Sequence, residues 1–287
     1  MKILMIGAHP DDCEIECSGL AMKYVKDGHS VQMLSMCNGC GGHHEMKPQD
    51  IADRRYKEIL AAAEFMGVGY DVWHDVPDCE LYASLENRAR LVRYIRKVNP
   101  DIIFCCRTND YHADHRNAGI LVQDASYLLI VPNYCPDVPA LKKMPIIMQY
   151  DDPFNNPPFM PDVVIDVGDI IERKLDVLNF HVSQMYEWLP FTWGVIDEVP
   201  PADKPEERRK WLAGEEVSPD TPDEEILKSK VIGRKPRFAK IAARHRNALI
   251  ERYGKEKGEK VVYAEAFAVC EYGSPLTEED KKVFFPY

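Results

Sequence analysis

The chain has 287 residues, 45% hydrophobic and 29% charged, with 47 acidic side chains against 36 Lys and Arg for a formal net charge of −11. That balance excludes a disordered chain, and the acidic excess argues against a nucleic-acid backbone or an anionic membrane as partner. Nine cysteines without a secretory leader point to free thiols in a reducing, cytoplasmic setting, and no apolar run reaches the length of a membrane span.

Residues 3–6 are a short apolar run ended by Gly7, the pattern of a strand buried on both faces. A helical pattern follows over 14–27, closed by Gly28, and 30–37 reads as a second strand. After a glycine-containing loop through Gly42, an amphipathic helix begins near Pro48. Ile51, Tyr56, Ile59, Ala63 and Met66 share one of its faces, and Gly67 stops it. Residues 70–74 form a third strand, 85–98 a third helix striped by Leu85, Ala89, Val92 and Ile95, and 101–106 a fourth buried strand. The polar loop 108–114 leads into another helix toward Leu129. Such alternation predicts an α/β fold: a doubly wound, mostly parallel sheet with helices on both faces.

The second half is less regular. Residues 145–150 and 163–167 read as strands, 169–188 and 237–253 as helices, and 263–271 as a late strand. The stretch 190–237, rich in Pro, Asp, Glu and Lys, reads as an excursion or lid containing some helix.

In an open α/β sheet, ligands bind beyond the carboxyl ends of the strands. Two clusters of metal-ligand residues fall there: His9-Pro10-Asp11-Asp12-Cys13-Glu14 after the first strand, and Asp110-Tyr111-His112-Ala113-Asp114-His115 after the fourth. Alone, the first would serve equally well as a helix cap, and the second as a solvated loop. Together, His9, Asp12 and His115 supply the two histidines and one carboxylate of a catalytic metal site with an open position. Asp11 is then left over as a general base for metal-assisted hydrolysis. His112, with Asp114 to orient it, is placed to stabilise an oxyanion or protonate a leaving amine. A dinucleotide is disfavoured, because acidic residues occupy the phosphate-binding turn.

These motifs resemble those of the PIG-L/LmbE-like family of zinc-dependent N-deacetylases. Further matches are the Asn38-Gly39 turn, Arg55-x-x-Glu58 with Ala62-Ala63 and Met66-Gly67, His181-x-Ser183-Gln184, and Ala264-Glu265-Ala266-Phe267. The resemblance implies a Rossmann-like sheet with His9, Asp12 and His115 on zinc, iron(II) being the alternative metal. Asp11 would be the base, and His112 backed by Asp114 the transition-state stabiliser. Arg55 and Glu14 would meet substrate, an N-acetylglucosamine-type conjugate losing its acetyl group. The implied organisation is a catalytic core over 1–189, an insertion or lid over 190–237, and a C-terminal helix and strand over 238–287 completing the same domain.

Rival readings stay open: cleavage of a different N-acyl or thiol-conjugate amide, or a non-catalytic metal-binding module. Cys37-x-x-Cys40 departs from the family pattern and admits redox chemistry beside the plain reading of loop thiols. His43 and His44, near the expected rim, face either substrate or solvent. Homo-oligomer formation is equally open.

Overall fold

The computed structural model describes residues 1–230 and 233–287. Its sheet contains β1 (Lys2–Gly7), β2 (Ser30–Ser35), β3 (Gly69–Val72), β4 (Ile102–Cys105), β5 (Ile146–Tyr150), β6 (Val163–Asp166) and β7 (Ala264–Val269). They run in the order β3-β2-β1-β4-β5-β7-β6. The first five pair in parallel. The late strand β7 is antiparallel to both neighbours, β5 and β6.

Strand β1 shows why the sheet is buried on both faces. Ile3 and Met5 enter one core with Leu20 of helix α1 (Asp12–Lys26) and Ala62 and Met66 of α2 (Pro48–Met66). Leu4 and Ile6 enter the other with Leu91 of α3 (Leu85–Val98) and Leu121 of α4 (Ala113–Ser126). Alternating residues of one strand therefore anchor two helix layers. Helix α5 (Ile171–Asn179) adds Val177 and Leu178 to the first core.

The helix expected over 169–188 is shorter. It ends at Asn179, and the chain re-enters as a π turn over Gln184–Trp188 that continues into α6 (Leu189–Thr192). The chain beyond carries α7 (Pro205–Ala213) and α8 (Asp223–Lys228), whose Leu212 and Ile226 are buried in the core shared with the sheet. Residues 231–232 of the expected lid lie outside the described residues. The helix expected over 237–253 is two, α9 (Arg234–Arg244) and α10 (Arg246–Tyr253), broken at His245, where φ is −111° and ψ 29°.

Helix α1 is interrupted at Cys17 (φ −144°, ψ 16°). The break frees the amides of Gly19 and Leu20, and Glu265 of β7 accepts from both at 2.8 and 2.9 Å. A side chain at Gly19 would collide with that carboxylate, its Cβ falling 2.7 Å from Oε1. Lys174 of α5, fully buried, balances the charge at 2.6 Å. Among the described residues no helix is long and apolar enough to cross a membrane.

Candidate active site

The strand order reverses at β1, which has β2 on one side and β4 on the other. The loops leaving β1 and β4 therefore part at this point and open a crevice. A cleft of about 460 Å³ lies there, lined by His9, Asp11, Asp12, His112, His115 and Arg55 together with residues from the second half of the chain.

Gly7 ends β1 in a turn so tight that a Cβ there would fall 2.6 Å from Cβ of Asp12. The turn brings Asp12 back onto the strand end, where its Oδ2 accepts from the amides of Ala8 and His9, both at 2.8 Å. Its other oxygen lies 3.4 Å from Nε2 of His115. Nδ1 of His9 and Nε2 of His115 are 3.1 Å apart. Donor atoms of His9, Asp12 and His115 all fall within 4.8 Å of one another.

The outer ring nitrogens are also held. His9 donates Nε2–H to Asp114 at 3.0 Å, and Nδ1 of His115 lies 3.1 Å from Asp110. A histidine bound to a metal through one nitrogen characteristically gives the other to a carboxylate. Both rings satisfy that pattern, so the donor set fits a divalent cation. Burial disfavours charge on His115, yet Asp12 and Asp110 raise its pKa well above the usual histidine value. Burial likewise opposes ionisation of Asp12, and His115 and His9 outweigh it, holding its pKa far down. A cation at the centre would replace the shared proton.

Asp11 occupies the N-cap position of α1 but makes no side-chain cap bond, so the capping role open to it from sequence is not what the fold uses. Its backbone sits at φ 154°, ψ −16°, strained for a residue with a side chain. The strain is stabilised by buried Arg55, which donates through Nη2 to Oδ1 of Asp11 at 2.7 Å and to the Pro10 carbonyl at 2.8 Å. Burial raises the Asp11 pKa despite that guanidinium.

His112 is the N-cap of α4, and its Nδ1 accepts from the Asp114 amide at 3.1 Å. That bond leaves the proton of the neutral ring on Nε2. Burial, then the neighbouring His9 and His115, lower its pKa. Asp114 stands elsewhere than behind His112. Its Oδ2 is 3.8 Å from His112 Nδ1, and its carboxylate accepts instead from His9 and from the amides of Cys79 and Leu81.

Glu14 does not reach the cleft. It is fully buried on the inner face of α1, 3.2 Å from Nε2 of His181 and 3.4 Å from the hydroxyl of Tyr70. Arg55 does line the cleft, but its guanidinium is directed at Asp11, Asp78 and two carbonyls. Cys37 is buried, and burial pushes its thiol far up, whereas Cys40 stays partly exposed. His43 pairs with Glu187 at 2.8 Å, and His44 stacks between His43 and Phe191. Arg54 grips the same Glu187 through two 2.7 Å bonds. Ser183 and Gln184 bind Glu58 and the Gly42 carbonyl. These contacts clamp the π turn over α2.

Sequence reasoning missed Asp110 as a partner of His115, although it stands in the quoted cluster. It also missed Trp188, Trp193, Arg234 and Arg237, which line the cleft from segments without a readable motif.

Residues 4–126 match the PIG-L family model, described as GlcNAc-PI de-N-acetylase. The chain is 30% identical over 200 residues, 66% of its length and 74% of the relative's, to the diacetylchitobiose deacetylase of Thermococcus kodakarensis. It is 22% identical over 197 residues, 66% of this chain and 76% of the relative, to the 4-oxalmesaconate hydratase of Pseudomonas putida. Among solved structures, the N,N'-diacetylchitobiose deacetylase of Pyrococcus horikoshii superposes with a TM-score of 0.66 at 24% identity, over 94% of this chain and 84% of that one. With that likeness spanning most of a curated relative, and the family model covering both rim motifs, the chain belongs to the PIG-L family.

Proposed function

We propose that the chain is a metal-dependent N-deacetylase, a hydrolase that releases acetate from an N-acetylated sugar conjugate in the cytoplasm. The observation that carries this reading is the convergence of His9, Asp12 and His115, with each histidine's outer nitrogen on a carboxylate and an uncommitted Asp11 oxygen beside them. The relatives named as deacetylases support it. Held by these three residues, zinc or iron(II) would supply Lewis-acid polarisation of the amide carbonyl and acidify the attacking water.

The chain's own groups do the rest. Arg55 occupies Oδ1 of Asp11, leaving Oδ2 to take a proton from the attacking water as the C–O bond forms. His112 presents Nε2–H to the carbonyl oxygen as negative charge develops there. The proton on Asp11 then passes to the departing nitrogen as the C–N bond breaks, giving acetate and a free amine. Trp188 and Trp193 offer flat apolar walls for a sugar ring. The test is acetate release from N-acetylglucosamine conjugates by zinc-loaded protein. Asp11→Asn should abolish release in protein that still folds and holds metal, at some loss of stability because Arg55 keeps only Asp78 as its ion-pair partner; full activity in a folded, metallated Asp11→Asn protein would sink the assignment.

The likeness to a protein named as a hydratase is the ground for a second reading, addition of water to a substrate. Acetate distinguishes the two chemistries, because a hydratase adds water and releases no acid.

A further inference from the structure

The cleft is rich in carboxylates, and those facing its cations are matched. Arg55 pairs with Asp11 and Asp78, and Arg237 with Glu16. Arg234 is different. It lines the cleft and is only 6% exposed, yet among the described residues no carboxylate lies within ion-pair distance of it. Among the described residues its guanidinium makes one hydrogen bond, from Nη2 to the sulfur of Met185, and it sits 5.5 Å from the Trp193 ring. Neither contact neutralises a charge. Burial, and then Arg237, pull its pKa down to about 10, which leaves it cationic at neutral pH.

A buried charge without a partner is costly, and a guanidinium tolerates burial best where a planar anion completes it. The surroundings sharpen the point. Arg234, Lys235 and Arg237 crowd the first turn of α9, which holds no acidic residue, although the positive end of a helix disfavours cations. Arg234 is held in place: Gly233 before it has φ 91° and packs so closely on Gly214 that a Cβ would come within 2.3 Å of its Cα.

We propose that Arg234, beside Trp193, forms an anion subsite, so that the substrate carries a phosphate or carboxylate in addition to the group that reacts. The sugar face would rest on the indole while the anion accepts from the free donors of Arg234. Deepening the deacetylase reading, this inference rests on it only for the identity of the reacting group.

Three sugars without an acetamide test it on the zinc-loaded protein: glucose, glucose 6-phosphate and glucuronate, titrated by calorimetry and by tryptophan fluorescence. We expect one or both anionic sugars to bind roughly 10- to 100-fold more tightly than glucose. Which of them does so separates a phosphate from a carboxylate. In Arg234→Met, which keeps an apolar stem against Met185, the preference should fall to near one. Arg234→Lys, which keeps the charge but loses the planar fork, should retain part of it and guards against a folding failure of the first variant. Equal binding of all three sugars overturns the proposal. So does an anion preference that survives unchanged in both variants, because the anion would then be bound by the metal. Acetate release from N-acetylglucosamine and from its phosphate- and carboxylate-bearing conjugates, measured in parallel, is independent. Its absence beside an intact anion preference would remove the deacetylase reading and leave the subsite standing.

Discussion

Oδ2 of Asp114 lies 3.0 Å from Nε2 of His9 and 3.8 Å from Nδ1 of His112, so the carboxylate orients the first ring rather than the second. By holding Nε2, it turns Nδ1 of His9 toward His115 and Asp12. Asp114→Asn keeps the shape but weakens this hold. Zinc affinity, measured by competition with a chromophoric chelator, should fall roughly 10- to 100-fold. Had Asp114 served His112 alone, metal affinity would be untouched and only turnover would drop.

Arg55 makes a second, separable prediction. Its guanidinium is 2.7 Å from Asp11 and 3.5 Å from Asp78, with all three side chains buried. Arg55→Met leaves two carboxylates unneutralised and should cost about 3–5 kcal/mol in denaturant unfolding. In protein that remains folded, displacement of Asp11 should lower kcat by about 10²-fold. KM should change little, because the arginine braces the base. A rise in KM at constant kcat would instead mark Arg55 as a substrate contact.

The site and the fold were unequally legible in the sequence. His9, Asp12 and His115 stand in short clusters immediately after buried strands, and strand ends of a parallel sheet share one rim. Local spacing therefore sufficed to bring them together. Asp110 was visible, but its bond to His115 depends on the ring orientation at the start of α4. The direction of β7 left no mark, because a central strand reading Ala264-Glu265-Ala266-Phe267 is buried on both faces whichever way it runs. The family resemblance places Glu14 near substrate, and Glu14 follows Asp12 by two positions. On α1 that spacing turns it away from the rim and toward His181. Arg234 had no local signal at all, since its isolation is a property of what the folded chain fails to place beside it.

Glu187 gives a dependence on pH. Burial would raise its pKa, but the bonds from Arg54 and His43 outweigh this and hold it below the ordinary glutamate value of 4.5. A carboxyl depressed on folding adds stability that is fully present above its unfolded pKa and lost as pH falls through the folded one. The side chain is 26% exposed, so solvent screens part of the effect. Melting temperatures of wild type and Glu187→Gln should therefore differ most above about pH 5 and converge toward pH 3. Parallel curves across that range would show that the clasp between the π turn and α2 contributes nothing through its charge.

Glu265 and Lys174 test how the last strand is tied to the first helix. The carboxylate accepts the two amides freed by the break at Cys17 and pairs with Lys174 at 2.6 Å, and neither side chain is exposed. Glu265→Gln removes the charge that neutralises Lys174 and places an amide group among donors. Unfolding in urea should show a loss of about 3–5 kcal/mol. Lys174→Met alone strands the carboxylate, although two amides still bond it, so its cost should be smaller. The double variant Glu265→Gln, Lys174→Met removes both charges and should recover part of the loss, because breaking a buried pair costs more than deleting it. Strict additivity of the two single effects would mean that the pair is not coupled, and that β7 is held to α1 by packing and by the amide bonds alone.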